Sequence, residues 1–267
     1  MLSTVHCSEP ATRNRQLTSI LPSLLKASTF SPYLCAMTQD FEGGVLLLID
    51  KPEDWTSFDV VNYIRIQIKR NLGIARIKVG HAGTLDPLAT GLLLVCTGKM
   101  TRQIQQLQDQ DKEYTGTIRL GITTPSYDFE TEPDSESPWQ HIINEDILSV
   151  LPSFTGEIMQ VPPVFSAIKV DGKRAFEAAR RNRSMTLEAR KVNISSFEIT
   201  AFNLPDFHFR VRCSKGTYIR SLAHDIGQAL GTGAVLTALR RTAIGQYHVD
   251  EAITPADFKL HLESAAG

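Results

Sequence analysis

The chain has 267 residues, 42% hydrophobic and 21% charged, with 28 Lys/Arg against 29 Asp/Glu and a formal net charge of −1. That composition is ordinary for a globular enzyme with a buried core. The longest unbroken apolar runs, Val45 to Ile49 and Leu92 to Cys96, are five residues each, far short of the roughly 20 a membrane-spanning helix needs. The four cysteines, Cys7, Cys35, Cys96 and Cys213, form no CxxC pair or His/Cys cluster, which argues against a disulfide framework and a structural zinc site.

Residues 1–36 carry ten Ser/Thr, three basic residues (Arg13, Arg15, Lys26) and one acid, Glu9. Such a composition reads as an organellar transit peptide, with a disordered leader as the alternative. The first reading places the protein in a mitochondrion or chloroplast, the second in the cytoplasm. Met37 offers a second start that would leave an untargeted product.

The run Val45 to Ile49 is a buried strand by length and composition. Thr56 or Ser57 caps a helix to about Arg70, with Val60, Val61, Ile64 and Ile68 on one side. A Gly-punctuated loop from Gly80 to Gly91 leads into a second buried strand, Leu92 to Cys96. Lys112 to Leu120 alternates as a half-buried strand does, and the acidic segment after Thr124 reads as a solvated loop. Asn144 caps a short helix to Leu151. Then come a strand near Phe165 to Val170, a turn at Asp171-Gly172, and a basic helix from Arg174 to about Arg181. Strands at Val192 to Ala201 and Phe207 to Cys213 precede a helix from Tyr218 to about Leu230, and a last strand covers about Arg241 to Val249. Strands outnumber helices without alternating regularly with them, so the class is α+β, not doubly wound.

Charge is unevenly distributed. Lys169 to Lys191 holds eight Lys/Arg against three Asp/Glu, whereas Asp128 to Glu136 holds five acids and no base. Opposite surfaces can therefore carry opposite fields, and the net charge does not exclude a nucleic-acid partner.

The most unusual stretch is Gly80-His81-Ala82-Gly83-Thr84-Leu85-Asp86-Pro87-Leu88-Ala89-Thr90-Gly91. Its glycines permit positive φ and close backbone approach. Pro87 biases Asp86 toward an extended conformation, presenting the carboxylate from a rigid loop. Read alone, an Asp-Pro more often organises a turn than performs catalysis.

The continuous segment GHAGTLDPLATGLLLVCTGKMTR resembles the catalytic block of TruB-type pseudouridine synthases. Further landmarks follow in family order: Asp50-Lys51-Pro52, Lys112-Glu113-Tyr114, Val161 to Lys169, Cys213 to Arg220, and Leu239-Arg240-Arg241. The resemblance spans about residues 43–249 and implies the mostly antiparallel pseudouridine synthase sheet with flanking helices and a thumb-like insertion. The reaction it implies breaks the ribose C1′ to uracil N1 bond, turns the base, and joins C1′ to C5, in the T-arm of transfer RNA at position 55. It needs no redox cofactor, metal or nucleotide, and no guide RNA; a monomer is expected.

The resemblance assigns catalysis to Asp86, with Arg220 as the cation that opposes its protonation. It places Tyr114 stacking on the flipped base and Tyr218 against it from another side, since aromatic platforms offset the cost of unstacking. His81 contacts the RNA at the vacated position, Leu239 walls the pocket, and Lys51 and Lys169 complete the substrate contacts. The basic segment from Lys169 to Lys191 resembles a thumb that grips the T-loop through phosphates. Alone, each of these has a plainer reading, as core, loop or solvated face.

The chain departs from the family at three places. An acid-containing TDTxDxxG-like run is here Thr124-Pro125-Ser126-Tyr127-Asp128-Phe129-Glu130-Thr131, keeping Asp128 but neither the earlier Asp nor the closing Gly. Phe176 and Asn182 stand where Tyr and Gly are common in the thumb. Residues 250–267 read as a short remnant with no PUA domain, too short for an independent fold. The alternative to an enzyme is a catalytically silent RNA-binding or RNA-folding protein, which has no reason to keep Asp86, Tyr114, Tyr218 and Arg220 together.

Overall fold

The computed structural model describes residues 40–166, 169–170, 173–174 and 187–266. Among them, no helix is long and apolar enough to cross a membrane. β1 (Leu46–Lys51) leads into α1 (Ser57–Leu72), then β2 (Val79–His81) and β3 (Thr90–Thr97). A 3-10 turn and α2 (Ile104–Gln108) precede β4 (Lys112–Leu120), and β5 (Ile122–Thr123) and β6 (Ser135–Glu136) make a separate small hairpin. Next come α3 (Asn144–Val150), β7 (Gly156–Gln160), and the short pair β8 (Lys169–Val170) and β9 (Lys173–Arg174). β10 (Arg190–Asn203), β11 (Asp206–Cys213), α4 (Ile219–Ala229), β12 (Ala234–Ile244), β13 (Tyr247–His248) and α5 (Pro255–Ala266) complete the described chain.

The main sheet has nine strands in the order β1-β3-β12-β4-β11-β10-β7, with β2 beside β3 and β13 beside β12. Its described pairings are antiparallel except β3 with β12. The fold is α+β. The unbroken apolar run of β3 follows from its position, because both its faces are covered. Leu93 and Val95 pack with Val60, Ile64 and Phe258, while Leu92, Leu94 and Cys96 pack with Leu107 and Ile244. β4 alternates, turning Tyr114, Ile118 and Leu120 into the largest core.

α1 starts where its chemistry dictates. The Thr56 hydroxyl accepts from Asp59 N–H at 3.0 Å and the Asp59 carboxylate accepts from Thr56 N–H at 2.8 Å, a reciprocal capping box. Gly73, at φ 68°, stops the helix.

Several expectations are corrected. Asp128, with Thr124 and Ser126, is buried, whereas the rest of the acidic segment, Glu130 and residues 132–136, is exposed as expected. Phe165 and Ser166 lie in a bend, and of the described residues of that expected strand only Lys169–Val170 is paired. Arg174 belongs to β9, and the rest of the expected basic helix lies outside the described residues. The last long strand ends at Ile244 because Gly245, at φ 55°, turns the chain into β13. The expected cap Asn144 is one residue late: Ile143 N–H is satisfied by the Asp146 carboxylate at 2.9 Å. The short tail packs against β1 and α1. Ile253 joins the edge of β1 through Asp50 N–H to Ile253 O at 2.9 Å and Ile253 N–H to Leu48 O at 3.0 Å. Phe258 and Leu262 of α5 are then buried in the α1 core.

Candidate active site

Asp86 sits on the loop between β2 and β3, and that loop is held from three directions. Ser57, the first residue of α1, accepts from Leu85 N–H at 2.8 Å and donates to Leu85 O at 3.1 Å. From β12, Arg241 donates to Leu92 O at 2.7 Å, Gly83 O at 3.1 Å and Thr84 O at 3.4 Å. From β1, Lys51 donates to Pro52 O at 2.8 Å, Trp55 O at 2.6 Å and Pro87 O at 3.0 Å. Gly91 makes the Arg241 clamp attainable: at φ 103°, a Cβ there would lie 2.3 Å from Arg241 O, so only glycine lets β12 come this close.

Lys51 therefore corrects its expected place among the substrate contacts. It is fully buried and its three ammonium protons are committed to three carbonyls, so it braces the loop from behind. Burial pulls its pKa down to about 8, with Asp86 opposing that shift.

Arg220, the second residue of α4, reaches Asp86 from the far side. Its Nε lies 2.9 Å from Asp86 Oδ2 and 3.6 Å from Asp128 Oδ2. Its terminal nitrogens donate to Ser126 O at 3.1 Å and Phe165 O at 2.9 Å. The guanidinium is thus fixed by two backbone carbonyls and shared between two carboxylates. Its side chain is 4% exposed while that of Asp86 is 38% exposed, into the cavity. Burial raises the Asp86 carboxyl above the usual carboxylate range; Arg220 opposes, and Asp128 and Glu130 add to the rise. Arg220 thus opposes protonation of Asp86 against burial and two neighbouring acids.

The cavity in front of Asp86 has a volume of about 480 Å³, within the roughly 300–1,000 Å³ of small-ligand pockets. Tyr114, Tyr218, Leu239, Arg220 and Arg241 line it. Tyr114 is held on β4 opposite Arg241 of β12 and Val211 of β11, and burial raises its phenol pKa while Arg241 opposes. Tyr218 precedes α4. Gln160 fixes its backbone, accepting from Tyr218 N–H at 2.8 Å and donating to Tyr218 O at 3.0 Å. Burial raises the Tyr218 phenol as well. Arg190, Lys191 and Lys215 stand at the cavity, where cations can meet phosphates.

His81 lies on β2 and does not line this cavity. Its Nδ1 is buried without a hydrogen-bond partner, and burial and Arg241 lower its pKa, so the ring is neutral at pH 7. Lys169 is placed in β8; its side chain and most of the thumb segment lie outside the described residues.

Two site residues were visible in the sequence without being recognised. Asp128 was the surviving acid of an altered loop, and Arg241 only the end of a Leu-Arg-Arg landmark. The loop that carries Asp128 is tightly bonded. The Thr124 and Ser126 hydroxyls donate to Asp128 O at 2.6 and 2.9 Å, and Asp128 Oδ1 accepts from Glu130 N–H at 3.0 Å. Tyr127 there has φ 65°, a left-handed conformation that costs a tyrosine about 1–2 kcal/mol.

Fold and pocket together define an α+β protein with a carboxylate, paired to a buried arginine, facing a cavity lined by two tyrosines. Comparison with known proteins gives the family. Residues 69–219 match the TruB family pseudouridylate synthase (N terminal domain), and residues 220–265 match the tRNA pseudouridylate synthase B C-terminal domain. The chain is 53% identical over 226 residues to a tRNA pseudouridine synthase B of Flavobacterium johnsoniae, covering 84% of this chain and 99% of that one. A protein of the same name from Phocaeicola vulgatus is 51% identical, with 84% and 95% covered. Among solved structures, the crystal structure of a Cbf5-Nop10-Gar1 complex matches with a TM-score of 0.61 at 34% identity. That match covers 81% of this chain but 54% of the solved one, so the chain spans about half its length. The chain belongs to the TruB family of pseudouridylate synthases.

Proposed function

We propose that the chain isomerises one uridine of the T-arm of transfer RNA, position 55, to pseudouridine. The observation that carries this reading is the Asp86 carboxylate, paired with Arg220 in a cavity between Tyr114 and Tyr218. A uridine within a folded arm must leave its stack, at a cost of a few kcal/mol. Stacking on Tyr114 offsets that by roughly 1–3 kcal/mol, and Tyr218 and Leu239 bound the remaining space. Charge then develops on the sugar as the C1′–N1 bond breaks, and Asp86 stabilises or attacks C1′, as carboxylates do in glycoside hydrolysis. The freed base turns within the cavity and rejoins through C5; the C5 proton leaves to a base and N1 takes up a proton. Atoms and electrons balance without a cofactor.

The reading includes action as a monomer without a guide RNA. Its support is the near-complete coverage of relatives named tRNA pseudouridine synthase B, whereas the matched Cbf5 chain was solved in complex with Nop10 and Gar1. The test is the purified chain with an isolated T-arm stem-loop and no other macromolecule. The stem-loop is expected to form pseudouridine with a specificity constant within about tenfold of full transfer RNA, or roughly 1.4 kcal/mol. Asp86→Asn is expected to bind the RNA and form none. Turnover by that variant overturns the role of Asp86, and a hundredfold preference for the full molecule overturns T-arm sufficiency.

We also propose that residues 1–36 direct the protein to a mitochondrion or chloroplast, on their Ser/Thr-rich, acid-poor composition. A fluorescent fusion of that segment that stays diffuse in the cytosol overturns this.

A further inference from the structure

We propose that Tyr127 and His224 are a positioning pair for the reaction, pinning the turn that presents Asp128 and the Ser126 carbonyl to Arg220. The inference rests on the reading above for its kinetic test and on geometry for the rest.

His224 lies on α4 one turn after Arg220. Its ring stacks on Tyr127 with centroids 4.0 Å apart and planes 17° from parallel. Neither residue lines the cavity, so neither is placed to touch the nucleotide. Their connection to the chemistry runs through backbone. Ser126 O, immediately before Tyr127, accepts from Arg220, and Asp128, immediately after, faces the Arg220 Nε. Tyr127 itself is bonded on both sides, N–H to Thr124 O at 3.1 Å and O from Leu236 N–H at 3.0 Å.

The turn needs such a device because its local sequence does not favour it. Tyr127 has φ 65°, in the left-handed region that side chains other than Gly, Asn and Asp rarely adopt. Relaxation of that φ would swing the two flanking peptide groups and carry both Arg220 partners with them. The loop also lacks the earlier Asp and the closing Gly of the TDTxDxxG-like run, having Pro125 and Thr131 there. A ring stack against a helix that already carries Arg220 ties the strained residue to the group it must serve.

Three variants test this: His224→Ala, which removes the stack; His224→Phe, which keeps it without ring nitrogens; and Tyr127→Gly, which removes it while relieving the strained φ. With a T-arm stem-loop, His224→Ala is expected to lower kcat about tenfold with KM within about twofold, and His224→Phe to restore kcat to within about threefold. Tyr127→Gly is expected to lose kcat although its backbone is at ease. In the free protein, amide exchange at Tyr127 and Glu130 should quicken in His224→Ala and not in His224→Phe. Wild-type kcat in His224→Ala or Tyr127→Gly overturns the pairing, as does a His224→Ala loss that phenylalanine does not rescue. If the wild-type chain fails to turn over the RNA, the substrate reading falls, and the exchange rates still decide whether the pair holds the turn.

Discussion

Asp128→Asn separates the electrostatic account of the site from a merely structural one. Both Asp86 Oδ2 and Asp128 Oδ2 reach the same Arg220 nitrogen, at 2.9 and 3.6 Å. The two carboxylates are therefore within about 6.5 Å of each other. Two unit charges at that separation repel by about 0.6 kcal/mol at the dielectric of water and about 2.6 kcal/mol at an effective dielectric of 20. In pKa terms that is roughly half a unit to two units. Asp86 opens into the cavity, so the lower half of that range applies. Asparagine keeps an acceptor for Glu130 N–H and removes only the charge. Without Asp128, one of the groups raising the Asp86 carboxyl is gone and Arg220 serves Asp86 alone; both effects lower its pKa. The acid limb of kcat/KM against pH should move down by about half a unit to one unit. Arg220→Ala should move it up, since it removes the group that opposes protonation. The assay is single-turnover pseudouridine formation on a T-arm stem-loop across pH, with unfolding monitored in the same buffers. An Asp128→Asn limb that stays put or rises would refute the shared-cation account.

Tyr114→Ala should lower kcat/KM by about 5- to 150-fold, the worth of roughly 1–3 kcal/mol of stacking, with Tyr114→Phe within about threefold of wild type; equal losses would place the effect in the hydroxyl. Lys51→Met strands three carbonyls and should cost about 3–5 kcal/mol, lowering Tm by roughly 10 °C for a domain of this size. Calorimetry showing an unchanged Tm would mean that Lys51 is not the brace of the catalytic loop.

Much of this protein is written locally. The capping Thr56 and Asp59, the stop at Gly73 and the apolar stripe of α1 mark that helix because they act within a few residues of one another. The unbroken run of β3 and the alternation of β4 report which faces are covered. The words around Asp86 and the landmarks that follow them are specific enough to place the chain in its family, and Tyr114, Tyr218, Arg220 and Leu239, which those landmarks bring forward, line one cavity with Asp86. What tertiary structure decided is which charges share one environment. The acids after Thr124 read as a solvated loop because a carboxylate carries no local sign of burial, yet Asp128 is drawn inward by Arg220, 92 positions away. Lys51 reads as a substrate contact in an Asp-Lys-Pro landmark, and only the carbonyls of Trp55 and Pro87 show it as a brace. The tail reads as a short remnant because a helix of modest amphipathy has value only where a partner face exists, and α1 supplies that face to Phe258 and Leu262. Local sequence determines where backbone elements begin and which residue types can do chemistry. Burial, the pairing of distant charges and the protonation they impose depend on the summed environment, which exists only once the strands are in register.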